Sequence, residues 1–113
     1  MVVSGPLGDH GATVMACRHA LAGEGLASDC APLSSLTELL LEGGAAVHAM
    51  HDPTRGGIAT TCHEVASRAG VRIVLDQGTV PVRPQVRSVC ELLGLDPLYV
   101  ACEGRVVAFV AEA

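Results

Sequence analysis

Aromatic side chains are nearly missing: Tyr99 and Phe109 are the only two in 113 residues, and there is no tryptophan. Single-stranded nucleic acid is bound largely by stacking on aromatic rings, so no such platform is expected. Lysine is missing altogether. The seven cations are arginines at 18, 55, 68, 72, 83, 87 and 105, too scattered to track a phosphate backbone, and the net charge is −5. No nucleic-acid partner is expected. Long apolar runs are missing as well. Leu39–Leu41 and Val106–Ala111 fall far short of the roughly 20 residues that span a bilayer, so no membrane partner is expected either. No signal peptide is visible, because Met1-Val2-Val3 leads straight into a Ser-Gly-Pro turn. The five cysteines are odd in number and show neither a CxxC nor a zinc-finger spacing. They read as small buried hydrophobes in a reducing compartment, which makes the cytoplasm the expected location.

What is present is an apolar half of the chain, mostly Ala, Val and Leu, enough to bury the core of one domain or a piece of one. Met1–Ser4 reads as the end of a strand turned by Gly5-Pro6-Leu7-Gly8. Asp9 is expected to cap a helix over about 10–21 with an apolar stripe at Val14, Cys17 and Leu21. Ser35-Leu36-Thr37-Glu38 has the form of a capping box, opening a helix that stops at Gly43-Gly44. Ala45–Met50 reads as a short buried strand. Residues 56–69 read as a helix with Ile58, Cys62, Val65, Ala66 and Ala69 on its inner face and a Glu64–Arg68 pair outside. Val71–Leu75 is β-branched and bounded by turns, hence a strand. Pro84 opens a helix that buries Val86, Val89, Cys90 and Leu93 and ends at Gly94. Leu98–Ala101 and Val106–Val110 are expected to form two strands, a hairpin around Cys102-Glu103-Gly104-Arg105. The order β-α-α-β-α-β-α-β-β predicts an α/β (α+β) fold in which helices cover a sheet.

Three stretches carry candidate chemistry. In His51-Asp52-Pro53-Thr54-Arg55-Gly56-Gly57 a strand gives way to a helix through a bend stripped of side chains. Helix-start amides lack partners and glycine lets a ligand approach closely, so the bend suits an anion, with Thr54 and Arg55 as added donors. It equally suits a plain tight turn between strand and helix, since no Walker A pattern is present, and both readings stand at this point. Glu103, a lone carboxylate between two apolar segments, suits a general base and equally the polar tip of a hairpin. His48 and His51 would face opposite sides of a strand and His63 lies on a polar helix face, so no metal site is expected. His10, at another helix start, suits either an anionic ligand or solvent.

With these residues in view, the chain resembles the C-terminal domain of the HypE family of hydrogenase maturation factors. That family lies in the superfamily of aminoimidazole ribonucleotide synthetase and selenophosphate synthetase. The stretches "VVSGPLGDHGATVMACR", "SDCAPLSSL", "VHAMHDPTRGGIATTCHEVA" and "VPVRPQVRSVCELLGLDPLYVACEGRVVAFV" carry the resemblance in order over nearly the whole chain; "DPTRGG" and "LGLDPLYVACEG" are its most specific parts. The resemblance implies a PurM-like layered α/β sandwich with partial likeness to the ferredoxin fold. It implies an ATP-dependent carbamoyl dehydratase, which converts a carboxamide on the protein's own C-terminal cysteine into a thiocyanate, the source of the cyanide ligand of [NiFe]-hydrogenase. It makes Glu103 the candidate base and places Asp52, Thr54, Arg55, Gly56 and Gly57 in the nucleotide or substrate cleft. ATP and Mg would be the cofactors of the full-length protein. HypF carbamoyltransferase, the HypC–HypD complex and a second copy in a homodimer would be its partners. Two departures stand out. Cys102 occupies the position where the family has Asn. The family's N-terminal ATP-binding domain and its terminal cysteine tail have no counterpart in residues 1–113, so the chain is expected to be an incomplete domain, inactive and free of bound cofactor by itself. The alternatives are a domain of a selenophosphate- or purine-type synthetase of the same superfamily, and a non-catalytic docking or dimerisation module.

Overall fold

The computed structural model describes residues 1–44 and 46–112. Their elements are β1 (Val2–Val3), α1 (Asp9–Arg18), α2 (Ser34–Glu42), β2 (Val47–His51), α3 (Gly57–Ala69), α4 (Pro84–Leu93), a 3-10 turn (Pro97–Tyr99) and β3 (Val107–Val110). The sheet is antiparallel with β3 in the centre, Val2 facing Ala108 on one side and Met50 facing Ala108 on the other. This α+β arrangement fits the expected class, with fewer strands than the sequence predicts.

Two apolar clusters hold the helices. Leu7, Ile58, Cys62, Val80, Cys102 and Val107 bury the inner face of α3 against the centre of the sheet. Ala12, Ala16, Val86, Val89, Cys90 and Val100 join α1 to α4. The cues for α3 and α4 are local and they hold: Pro84 sits in the first turn of α4, and Gly70 and Gly94 end their helices in the left-handed conformation at φ 66°.

Elsewhere tertiary context overrides the pattern. Residues 71–75 belong to no strand; Ile73 and Leu75 pack on the first cluster while Val71 and Val74 stay exposed. The alternation is real, but a strand needs a ladder partner as well as suitable side chains. Residues 98–101 form no strand either. Asp96 accepts from the Leu98 amide at 2.9 Å and Pro97 opens the 3-10 turn, so 102–105 is a link and not a hairpin tip. In α1 the residue before the helix is Gly8 (φ 87°), and Asp9 is inside the helix and buried instead of capping it. The buried face is Ala12 and Ala16, with Cys17 exposed. Small residues win that face because α1 lies close to the chain: a Cβ on Gly11 would stand 2.5 Å from Val100 Cγ1. The capping box does not form. Leu33 precedes α2 without a side-chain cap, and Thr37 Oγ1 donates to the Ser34 carbonyl.

Smaller differences follow the same logic. Glu64 meets His51 at 3.5 Å, and no Glu64–Arg68 pair occurs among the described ion pairs. Ala69 is exposed. β2 is half-buried, and Ala45, expected at its start, lies outside the described residues, as does Ala113. Cys62, Cys90 and Cys102 are buried as expected, whereas Cys17 and Cys30 are exposed. Among the described residues no helix is long and apolar enough to cross a membrane.

Candidate functional site

The bend between β2 and α3 is built from short hydrogen bonds. The Thr54 amide donates to Asp52 O (2.9 Å) and the Gly57 amide to Thr54 O (3.0 Å). Gly56 and Gly57 take φ values of 81° and 61°, a region costly for residues with a side chain. A Cβ on Gly57 would lie 2.5 Å from the Leu98 carbonyl oxygen and 2.8 Å from the Tyr99 carbonyl carbon, and one on Gly56 would strike the Thr60 side chain. At Gly57 the side chain is missing because α3 starts directly against the 3-10 turn, and at Gly56 because the Thr60 side chain fills the space. The chain's own backbone makes the close approach for which the sequence suggested a ligand.

That approach brings the second loop in. The Cys102 amide donates to the Pro53 carbonyl at 3.0 Å, tying 102–105 to the bend. Cys102 is fully buried, its sulfur accepting from the Gly8 amide at 3.2 Å. Burial pushes its thiol up to about 11, so it stays neutral near pH 7 and serves packing rather than chemistry. Arg105 donates through Nε to the Pro6 carbonyl (2.8 Å) and through Nη1 to its neighbour Gly104 (2.9 Å). It also faces two buried carboxylates: Nη2 is 3.6 Å from Asp9 and Nε 3.9 Å from Asp29. Arg83 stands 3.7 Å from Asp9 on the outside. Burial raises the Asp9 pKa; Arg83 and then Arg105 oppose the shift, and Asp29 adds to it.

Arg55 and Glu103 line one cavity of about 720 Å³, together with His10, Arg18, Asp96 and Tyr99. The structure thus places Arg55 of the bend and Glu103 of the link on the wall of one cavity. It does not gather the whole bend there. Asp52 and Thr54 face a separate hollow of about 360 Å³ with Thr37 and His51, and neither Gly56 nor Gly57 lines either space. Arg18 is a second cation in the larger cavity that the sequence reading missed, since nothing local distinguishes it from a solvated helix end. Asp29 was missed for a different reason: its side chain meets the Glu103 amide across a separation of 74 positions. His10, at the cavity, has Nδ1 2.8 Å from Ser28 Oγ. Among the described residues no three His, Cys, Asp or Glu side chains converge as a metal site would require.

A family model described as AIR synthase related protein, C-terminal domain, matches residues 1–113. The chain belongs to this family. Within the AIR synthase related group it is similar to the carbamoyl dehydratase HypE of Rhodobacter capsulatus, with 47% identity over 113 residues, covering 99% of this chain and 33% of that protein. It superposes on a crystal structure of hydrogenase maturation protein HypE in complex with ATP, with a TM-score of 0.93 and 40% identity, over 97% of this chain and 33% of that one. It also superposes on a crystal structure of a HypE–HypF complex, with a TM-score of 0.89 and 42% identity, over 96% of this chain and 36% of that one. The chain therefore spans about a third of the length of the relatives it matches.

Proposed function

We propose that the chain is the C-terminal domain of a HypE-type, ATP-dependent carbamoyl dehydratase working in the cytoplasm. The N-terminal nucleotide-binding domain and the terminal cysteine tail lie in the rest of the protein. In this reading an amide oxygen, a poor leaving group, is phosphorylated by ATP. The carboxamide nitrogen gives up its two protons, the oxygen departs as phosphate, and S–C≡N remains on the cysteine with ADP as co-product. Glu103 is the base that takes protons from that nitrogen. Arg55, across the same cavity, holds the anionic group being transferred, with Arg18 contributing charge from α1. Asp52 and Thr54, turned toward the neighbouring hollow, serve the rim of the cleft; Gly57 shapes it by letting the 3-10 turn close in, and Gly56 by leaving room for Thr60. Nucleotide phosphates fit a space with two arginines on its wall. Mg would be carried by those phosphates and by side chains beyond this chain. HypF, the HypC–HypD complex and a second copy are the proposed partners of the full-length protein.

The observation that carries this reading is the shared cavity of Arg55 and Glu103. It is tested by Glu103→Gln in the full-length protein, followed by mass spectrometry of the C-terminal peptide. Loss of thiocyanate formation with ATP binding retained is expected; normal dehydration would remove Glu103 from the role of base.

A docking role for part of the chain has its own support. α2 has no buried residue, and Leu39 and Leu41 are 66% and 61% exposed. A nine-residue helix this apolar is suited to an interface with the remainder of the protein. Leu39→Glu, Leu41→Glu in the full-length protein would then loosen that interface and lower its thermal stability, while leaving the fold of residues 1–113 intact.

A further inference from the structure

Glu103 is exposed, yet its main chain is fixed from beneath by a residue far away in sequence. Its amide donates to Asp29 Oδ1 at 2.9 Å. The Asp29 side chain is only 1% exposed. At the next position the two backbones touch: a Cβ on Gly104 would run into the Asp29 carbonyl oxygen. The link 102–105 is therefore pinned at three places. Cys102 is held by the Pro53 carbonyl, Glu103 by the Asp29 carboxylate, and Arg105 by the Pro6 carbonyl.

Two of these pins are ordinary main-chain acceptors, and Asp29 is a more costly choice. Its second oxygen, Oδ2, is buried with no hydrogen-bond partner, and Arg105 Nε stands 3.9 Å away. A buried carboxylate left partly unsatisfied is destabilising relative to a neutral acceptor. What the carboxylate gains is a charge-assisted hydrogen bond, stronger and more directional than a neutral one. That bond is made to the amide of the one residue in the link that has a carboxylate, an exposed residue that lines the cavity. A base displaced by about 1 Å loses roughly two orders of magnitude in rate, so a fixed main chain at this position has direct chemical value.

We propose that Asp29 is a positioning residue for Glu103, its Oδ1 setting the 103 main chain so that the Glu103 carboxylate stands in the Arg55 cavity. The inference rests on the reading of Glu103 as the base. The test compares four variants of the full-length protein for ATP-dependent dehydration, with kcat and the KM for ATP measured separately. Asp29→Asn keeps an oxygen acceptor without its charge and is expected to lower kcat roughly three- to tenfold, whereas Asp29→Ala removes the acceptor and should lower kcat roughly 30-fold or more, with KM within twofold. Should the alanine variant fail to fold, Asp29→Ser decides the same point, because its hydroxyl falls short of the Glu103 amide and should lose kcat comparably. Wild-type kcat in Asp29→Ala or Asp29→Ser overturns the proposal. So does an Asp29→Asn as impaired as Asp29→Ala, which would assign the effect to charge and not to the acceptor. Glu103→Gln, run in parallel, separates the two ideas. If it is inactive while Asp29→Ala is normal, the base reading stands and positioning by Asp29 falls. If Glu103→Gln is active, the base reading falls, and the proposal with it.

Discussion

The two loops that meet at the cavity are built on opposite plans. The bend at 52–57 takes its turn from its own neighbours, Thr54 to Asp52, Gly57 to Thr54 and Gly56 against Thr60 one helical turn on, and meets distant chain only at Pro53, which accepts from the Cys102 amide, and at Gly57, which abuts the 98–100 backbone. The link at 102–105 is held by groups 74, 94 and 99 positions away, namely Asp29, Gly8 and Pro6. The first is a turn that a short peptide sequence can specify. The second exists only once the N-terminal third of the chain has folded over it. An exposed arginine of the cavity wall therefore sits on the locally determined loop, and the carboxylate proposed as the base sits on the globally determined one.

The comparison breaks first at Gly57. Gly57→Ala combines a left-handed φ with a steric overlap on the 98–99 backbone and is expected to cost roughly 3 kcal/mol, a fall in Tm of about 10 °C or more. Gly70, at the other end of the same helix, has φ 66° but nothing within 4 Å of an added Cβ. Gly70→Ala should cost only about 1 kcal/mol. Thermal melts of the two variants check this, and equal losses would show that the 3-10 turn does not press on α3.

The arginines sharpen the contrast. Arg105→Met strips Asp9 and Asp29 of their buried counter-charge and is expected to cost roughly 3 kcal/mol. Arg55→Ala, at an exposed position, should change stability by less than about 0.5 kcal/mol. Denaturant titrations separate them.

The smallest effect is one of pH. The Asp9 pKa is raised from 3.8, chiefly by burial, so the folded chain binds this proton more tightly than the unfolded chain does. The associated stability is full below pH 3.8 and is lost as pH rises through the folded value. Asp9→Asn removes that dependence. The Tm difference, variant minus wild type, should therefore become more positive between pH 3.5 and 7, and a difference that does not change with pH would contradict the assignment.

How much of this was legible in the sequence follows the same division. The limits of α3 and α4 were readable because Pro84, Gly70 and Gly94 act on their immediate neighbours. The bend was readable as a bend, and Arg55 and Glu103 as candidates, though not the reason for Gly57, which is a backbone contact with residues 98–100. Val71–Leu75 and Leu98–Ala101 were misread as strands because apolar alternation cannot say whether a ladder partner exists. The buried face of α1 was misread because Ala12, Ala16 and Gly11 win it by closeness of approach, not by hydrophobicity. Asp29 looks like any polar loop residue until Glu103 is brought to it.

The most direct measurement is a double-mutant cycle between Arg55→Lys and Glu103→Asp on kcat/KM for dehydration in the full-length protein. Both substitutions keep charge and change reach. If the two side chains serve one ligand in one cavity, their effects will be non-additive by about 1 kcal/mol or more. Strict additivity would place them in separate functions and contradict the shared site.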